Sequence, residues 1–462
     1  MNEHQHSNFH YASPKPPPHR QRIHIASRIV LGLLLLIAIG TGLLLLPGVG
    51  ANGRLSVTDA LFTAVSALTV TGLSTISAGR DLTLFGQIIL LVLIQVGGVG
   101  YMFMASAALR IIGRRVSLMD RLALSNSLGL DTPAAILIVL KRTFYGILAI
   151  EAGGTLLLWL HWGLAGTVEN GRLFFYALFH AISAFCNAGF DLFGGLPQYP
   201  EGIPNNTGSL LILGSLIFLG ALGFPVLAEL FTWNWRKRLS LHSRMTLTVV
   251  VSLLLIGWIT IWIPEATKGV LADLPLGQQL IRSFFQAISN RTAGFAGLPN
   301  FSQMTDASQM MIMMQMFVGS APASMGGGLT TGTFAVLLLT LWGYARGHNQ
   351  AQISGRRIAE STVRRAGAVL TVGILVLTFA TWGLLATHDL PLNVVLFEVV
   401  SAFATCGLSL GVTGEFNFFG QIILMLVMIW GRLGALTIII AVAQQGRNIQ
   451  LIKYPEETVL IG

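Results

Sequence analysis

Four glycines stand in matched settings. They lie in Ala64-Val-Ser-Ala-Leu-Thr-Val-Thr-Gly72-Leu73, Ala181-Ile-Ser-Ala-Phe-Cys-Asn-Ala-Gly189-Phe190, Ala287-Ile-Ser-Asn-Arg-Thr-Ala-Gly294-Phe295 and Val399-Val-Ser-Ala-Phe-Ala-Thr-Cys-Gly407-Leu408. Each stretch begins small and weakly apolar, carries a Ser, and reaches one Gly followed by Phe or Leu. The offset from Ser to Gly is six residues in the first, second and fourth copies and five in the third. Glycine tolerates positive φ where other residues do not, so a loop built around one can aim successive carbonyls at one axis. Backbone carbonyls replace the hydration shell of a cation without adding fixed charge. Thr69, Thr71, Thr292 and Thr405 add hydroxyl oxygens nearby. A single copy reads as an ordinary glycine turn; four in matched context read as a pore lining on an approximate fourfold axis.

Such loops need elements to hold them. The chain has 462 residues, of which 53% are hydrophobic and 10% charged, with a mean hydropathy of +0.71. Soluble proteins carry about 25% charged residues, so the composition fits a polytopic membrane protein. Long apolar runs cover about 29–47, 82–109, 135–160, 207–232, 246–263, 309–343, 366–386 and 417–443. Each is long enough to span, at about 20 residues per crossing. Between successive pairs lie shorter apolar segments at 58–71, 174–188, 278–293 and 391–406, each ending in the glycine motif. The expected fold class is an all-α polytopic membrane protein. It has eight transmembrane helices and four re-entrant pore half-helices, in four helix–pore–helix repeats around a pseudo-fourfold pore. The repeats cover 27–112, 133–238, 243–346 and 361–445, between an N-terminal tail at 1–26 and a C-terminal tail at 446–462. Non-helical backbone at membrane depth is tolerated only where protein buries it or it lines a wet cavity. Each half-helix directs the negative end of its dipole inward, which favours a cation.

The charges give an orientation. Arg110, Arg114, Arg115, Arg121, Lys141, Arg142, Arg236, Lys237, Arg238, Arg244, Arg346, Arg356, Arg357, Arg364 and Arg365 fall on one side, with Lys15, Arg20, Arg22 and Arg28 in the N-terminal tail and Arg447 and Lys453 in the C-terminal tail. Arg54, Arg80, Arg172, Lys268, Arg282 and Arg291 fall on the other. The positive-inside rule makes the first side, with both termini, cytoplasmic. The net charge of +9 is thereby a topology signal rather than a nucleic-acid signal. The tail 1–26, with its prolines and histidines, reads as disordered. Cys186 and Cys406 form no disulfide framework and no metal signature; both sit inside the repeated loops as small packable residues. Thr58-Asp59 reads as an N-cap with an early acid. Asp191 and Glu398 are either carboxylates at the outer mouth or merely solvated or locally hydrogen-bonded groups.

Two further features stand apart. The sixth span is interrupted by Gly319-Ser-Ala-Pro322-Ala-Ser-Met-Gly326-Gly327-Gly328-Leu-Thr-Thr-Gly332-Thr333, and Pro with clustered Gly breaks a helix. The break is expected just below the glycine loops. Arg432 lies within the eighth span, where a charge is expensive and usually faces a wet cavity. It serves either as a barrier to a cation or as an anchor for carbonyls of the broken segment.

Taken together these features resemble the Trk/Ktr/HKT superfamily of potassium uptake proteins. Gln95-Val-Gly-Gly-Val-Gly100 resembles its Gln-x-Gly-Gly-x-Gly, and Ala221-Leu-Gly-Phe-Pro225 resembles its Gly-x-Gly-Phe-Pro element. The likeness covers about residues 27–445, and the eight-span length is most similar to bacterial Ktr-type subunits. It implies a K+ selectivity filter at Thr71, Gly72, Ala188, Gly189, Ala293, Gly294, Cys406 and Gly407, with K+ held by filter carbonyls. It also implies an intramembrane gate at about 319–333 with Gly326, Gly327, Gly328 and Arg432. Many relatives carry a Lys near the end of that segment; here Leu329 follows the glycines. The resemblance implies uptake of K+ across a bacterial plasma membrane, with Na+ as a further transported or coupling ion, and no cofactor bound by this chain. It implies a homodimer in membrane lipid and a cytosolic RCK-type nucleotide-binding ring (KtrA-like) as partner, since the chain has no Walker A motif and no Gly-x-Gly-x-x-Gly after a strand. A Na+-permeable, weakly selective relative is the nearest alternative. A membrane enzyme would need facing acids, His or Cys at mid-span, and the spans hold almost none.

Overall fold

The computed structural model describes residues 25–99, 136–167, 170–196, 199, 202–231, 239–347, 352–353 and 356–434. The N-terminal tail up to residue 24, Gly100 and the basic segment to residue 135, the end of the eighth apolar run after residue 434 and the C-terminal tail lie outside the described residues.

The described chain is helical apart from a two-residue antiparallel pairing of Gln352–Ile353 with Arg356–Arg357. The first repeat comprises α1 (Ile25–Leu44), α2 (Val57–Thr69), the short α3 (Ala78–Asp81) and α4 (Leu84–Val99). The second holds α5 (Ile136–Ala165), α6 (Asn170–Phe185), α7 (Thr207–Ala221) and α8 (Phe224–Phe231). The third holds α9 (Leu241–Thr267), α10 (Leu276–Ser289), α11 (Asp306–Phe317) and α12 (Thr331–Ala345). The fourth holds α13 (Glu360–Leu385), α14 (Leu392–Ala404) and α15 (Phe418–Leu433).

Polar caps mark the helix starts. Asn206, Ser240, Thr305, Thr330 and Asn417 each accept the backbone N–H three residues on, which satisfies one of the donors a helix leaves free. The cap of α2 is Ser56, whose Oγ accepts Asp59 N; Thr58 lies inside the helix. Asp59 is nevertheless in the first turn, where its charge suits the dipole.

Packing closes the four units into a circle. Each short helix, α2, α6, α10 or α14, packs on the first long helix of its own repeat and on the second helix of the repeat before. Thus α6 meets α4, α10 meets α7, α14 meets α11, and α2 meets α15, which joins the first repeat to the fourth. One hydrophobic core runs through all four. The short helices are its centre: Ala60 through Thr69 of α2, apart from Leu61, and Val395 through Ala404 of α14, apart from Leu396, are buried. The outer faces instead expose Leu34, Leu35, Val92, Trp159, Leu160, Ile256, Phe379, Trp382 and Phe419. Such an apolar belt has no favourable contact with water and suits hydrocarbon.

By length and composition, Phe144–Ala165, Leu241–Thr267 and Glu360–Leu385 are each able to cross a membrane. The run at 207–232, expected as one helix, is instead two, α7 and α8, bent by 105°. Gly223 at the bend has φ +84° and lies against the carbonyl of Pro322. Pro225 follows in the first turn of α8, where its missing N–H costs least. The sixth run breaks as its glycines predict, between α11 and α12.

Candidate functional site

The four glycine motifs meet. A methyl group built on Gly72 would overlap the carbonyl of Ala188, and one on Gly189 would lie 2.9 Å from that of Ala293. One on Gly294 would overlap the carbonyl of Cys406, and one on Gly407 that of Thr71. Each glycine therefore faces the carbonyl that precedes the next, and the circle closes. The carbonyls of Thr71, Ala188, Ala293 and Cys406 are brought to one ring, and all four residues are buried.

Local backbone explains why. All four glycines have positive φ, from 68° to 93°. Two residues earlier stand Val70, Asn187, Thr292 and Thr405, also at positive φ. Val70 and Thr405 end their short helices in the left-handed region, and Asn187 and Thr292 stand just past the ends of theirs; the conformation costs about 1–2 kcal/mol for a residue with a Cβ. Three of the four are β-branched, for which this conformation is a genuine outlier. Strain of this kind persists only where surroundings over-determine it, and it collects at functional sites. The last carbonyls of each short helix, free of helical partners, end beside the ring and bring the negative end of the dipole there.

The motif serines fasten the loops. Ser66 Oγ accepts Gly72 N at 3.0 Å and Ser401 Oγ accepts Gly407 N at 3.1 Å. Ser183 and Ser289 instead donate to the carbonyls of Phe190 and Phe295, at 2.8 and 2.6 Å. A second brace lies one turn earlier on three of the four short helices. His180 Nε2 accepts Leu192 N, Gln286 Oε1 accepts Gly297 N, and Glu398 Oε1 accepts Leu410 N. All three acceptors stand three residues before the motif Ser, a polar position inside an apolar helix that could have flagged them. In the first repeat that place holds Thr63, too short to reach, and Asp59 accepts the Thr75 hydroxyl at 2.6 Å instead.

This brace decides between the two readings of Glu398. It is fully buried and also accepts from Ser409 Oγ and Thr413 Oγ1, so it tethers the chain after the ring and is not a carboxylate at the mouth. Glu398→Leu strands three donors, at about 1–3 kcal/mol for each buried unsatisfied group. We expect a clear drop in the thermal stability of the detergent-solubilised protein; an unchanged melting temperature with weakened cation uptake would restore the mouth assignment. Asp191, by contrast, lines a cavity of about 240 Å³ together with Gly189, Gly202, Ile203, Gly294 and Phe295. It also accepts from Phe193 N and Gly194 N, and its Oδ1 lies 2.9 Å from His180 Nε2, so both of its proposed roles meet in one residue.

On the other side of the ring lies the segment 318–330. Gly326 lies against the hydroxyl of Thr292, and Gly327 against that of Thr405. Both hydroxyls lack a hydrogen-bond partner among the described residues. The segment is tied to the bend of the second repeat, where Ala321 N and Met325 N donate to Ala221 O and Gly220 O and Phe224 N donates to Ala323 O. Gly328 N donates to Gly431 O of α15 at 3.4 Å. Arg432 donates from Nη1 to Met325 O and from Nη2 to Gly97 O, with Gly98 O at 3.4 Å. Of its two readings, barrier or anchor, the contacts supply the anchor: the guanidinium clamps the segment to the end of α4. Leu329, which follows the three glycines, is buried and pairs with Val318 across the base of the loop.

Gln95 of the Gln-Val-Gly-Gly motif donates to both oxygens of Glu151 at 3.1 Å. Cys186 Sγ lies 3.8 Å from Glu151 Oε1. Glu151 is a buried acid with little signal in the sequence, because it interrupts a long apolar run only once.

The chain matches the TrkH family, described as cation transport protein, over residues 29–451. It is 36% identical over 436 residues to the Ktr system potassium uptake protein B of Vibrio alginolyticus, covering 94% of this chain and 93% of that one. It is 30% identical over 451 residues to the potassium/sodium uptake protein NtpJ of Enterococcus hirae, covering 96% and 98%. The crystal structure of the potassium transporter TrkH from Vibrio parahaemolyticus has the same fold, with a TM-score of 0.71 at 21% identity over 93% of this chain and 86% of that one. This chain, a transporter and not an enzyme, belongs to the TrkH family of cation transport proteins.

Proposed function

We propose that the chain is the K+-translocating subunit of an uptake system in a bacterial plasma membrane. The observation that carries this reading is the closed ring of four glycines and four carbonyls. Eight membrane crossings with four re-entrant short helices place the ring at mid-membrane, both termini cytoplasmic, and the mouth cavity by Asp191 outside. A K+ ion sheds water at that mouth. The carbonyls of Thr71, Ala188, Ala293 and Cys406 replace it, and the ends of the four short helices offset the charge. An inside-negative potential drives the ion inward, by about 2.3 kcal/mol per 100 mV. The segment 318–330, pinned by Arg432, is the gate below the filter.

The names of the Vibrio and Enterococcus relatives support potassium as the substrate, and the term Ktr system supports a partner subunit. A cytosolic RCK-type nucleotide-binding ring is our candidate, docking on the basic cytoplasmic segments of a homodimer of this chain. The name of the Enterococcus relative favours a second reading, in which Na+ is also carried. Expression in a bacterium deficient in K+ uptake tests both. Growth should be restored at low K+, with and without Na+, and be stimulated by a KtrA-like partner. Failure to restore growth by well-expressed protein, partner present, would sink the assignment; Na+ influx matching K+ influx would favour the second reading.

A further inference from the structure

The third ring loop differs from the others in one charge. Arg291 stands three residues before Gly294; the same place holds Thr69, Cys186 and Ala404 in the other repeats. Its side chain is only 3% exposed. Among the described residues no carboxylate pairs with it. Nη1 donates to Val250 O of α9 at 3.4 Å, Nη2 donates to Gly319 O at 3.2 Å, and Nε has no partner among the described residues. Burying a full charge between neutral carbonyls is costly, and an apolar side chain of similar volume would fill the space more favourably. The guanidinium thus has a use beyond packing.

Its acceptor shows what that use is. Gly319 is where the chain leaves α11 for the segment beneath the ring. It packs against the carbonyl of Gly327 within that segment and close to the Thr292 methyl of the ring loop. Arg432 holds Met325 O in the middle of the same segment. Two arginines from two different repeats therefore grip one loop at two carbonyls, and one of them is part of the ring loop itself.

We propose that Arg291 is a positioning residue that latches the start of the 318–330 segment to the third ring loop, so that the segment and the ring change conformation together. This rests on the reading of 318–330 as a gate. If the segment swings away, Nη2 loses Gly319 O and a buried charge keeps one weak acceptor, so the closed position is favoured. Conversely, displacement of the ring loop by a bound cation pulls on Gly319. The coupling is reciprocal: a segment held closed alters cation binding in the ring by the same factor.

The test uses Ser324→Cys as a reporter in the full-length protein, with Cys186 and Cys406 buried, and N-ethylmaleimide as the probe. Adding Arg291→Gln should speed labelling about tenfold, the shift expected on losing one charge-assisted hydrogen bond. It should also remove the effect of K+ on the labelling rate. Arg291→Lys, which keeps the charge but not the fork, should fall between, and it carries the test if the Gln variant does not reach the membrane. Unchanged labelling in the Arg291 variants, while Arg432→Ala accelerates it, overturns the latch and leaves the gate standing. If Arg432→Ala also has no effect, and removal of the segment leaves uptake unchanged, the gate reading falls and the latch with it.

Discussion

Gly294→Ser should cost the protein at least about tenfold in discrimination between K+ and Na+, which corresponds to about 1.4 kcal/mol. The reason is geometric. Gly294 has φ +77°, and a Cβ there would overlap Cys406 O while standing 3.1 Å from Gly189 Cα and 3.2 Å from Gly407 Cα. None of these neighbours is a flexible side-chain tip, so the ring backbone itself must move. A displaced carbonyl changes both the size and the field of the ring, whichever of the two governs selectivity, and the serine hydroxyl adds an oxygen that neither sets. Uptake of K+ and Na+ by cells expressing the variant, compared at equal protein level, measures the effect. Unchanged discrimination would remove the ring from the selectivity step.

The second large effect is expected on the other side of the ring. Arg432→Ala should raise K+ flux several-fold, and deleting most of 320–331 should do so at least as strongly. Arg432 bonds to Met325 O and to the carbonyls at the end of α4, so its loss unclamps the segment from the wall. It also removes a charge that repels a nearby K+ by about 4 kcal/mol at 4 Å and an effective dielectric of 20. The two contributions separate in Arg432→Lys, which keeps the charge and loses the two-carbonyl fork. Flux in the Lys variant near that of Ala assigns the control to the clamp; flux near that of the parent assigns it to the charge. Loss of uptake by a normally expressed deletion variant would make the segment a scaffold.

The four repeats and their glycines were legible in the chain because matched context recurs and because period and hydropathy are local properties. The break after α11 was legible too, since Pro and clustered Gly act on their own helix. The bend at Gly223 was less so. One glycine and one proline in an apolar run are compatible with a continuous helix, and the Pro322 carbonyl that leaves no room for a side chain at the bend comes from a different repeat. The sequence points to Thr58 as the cap where Ser56 serves, two residues away at a helix end, where sequence signals are weakest.

What the sequence by itself determined was the set of parts: apolar runs, short helices, four glycines able to take positive φ, a broken segment and a charge in a span. Which carbonyl each glycine faces, that α2 packs on α15 to close the circle, that Glu398 braces the chain rather than facing the mouth, and that Arg291 and Arg432 hold the same loop were decided only by the tertiary structure. Those contacts join residues far apart in the chain; the bond from Arg432 to Gly97 alone spans 335 positions. Hydrogen-bond acceptors supplied by backbone carbonyls leave no trace in residue type, so a donor such as Arg291 can be seen in the sequence while its partner cannot.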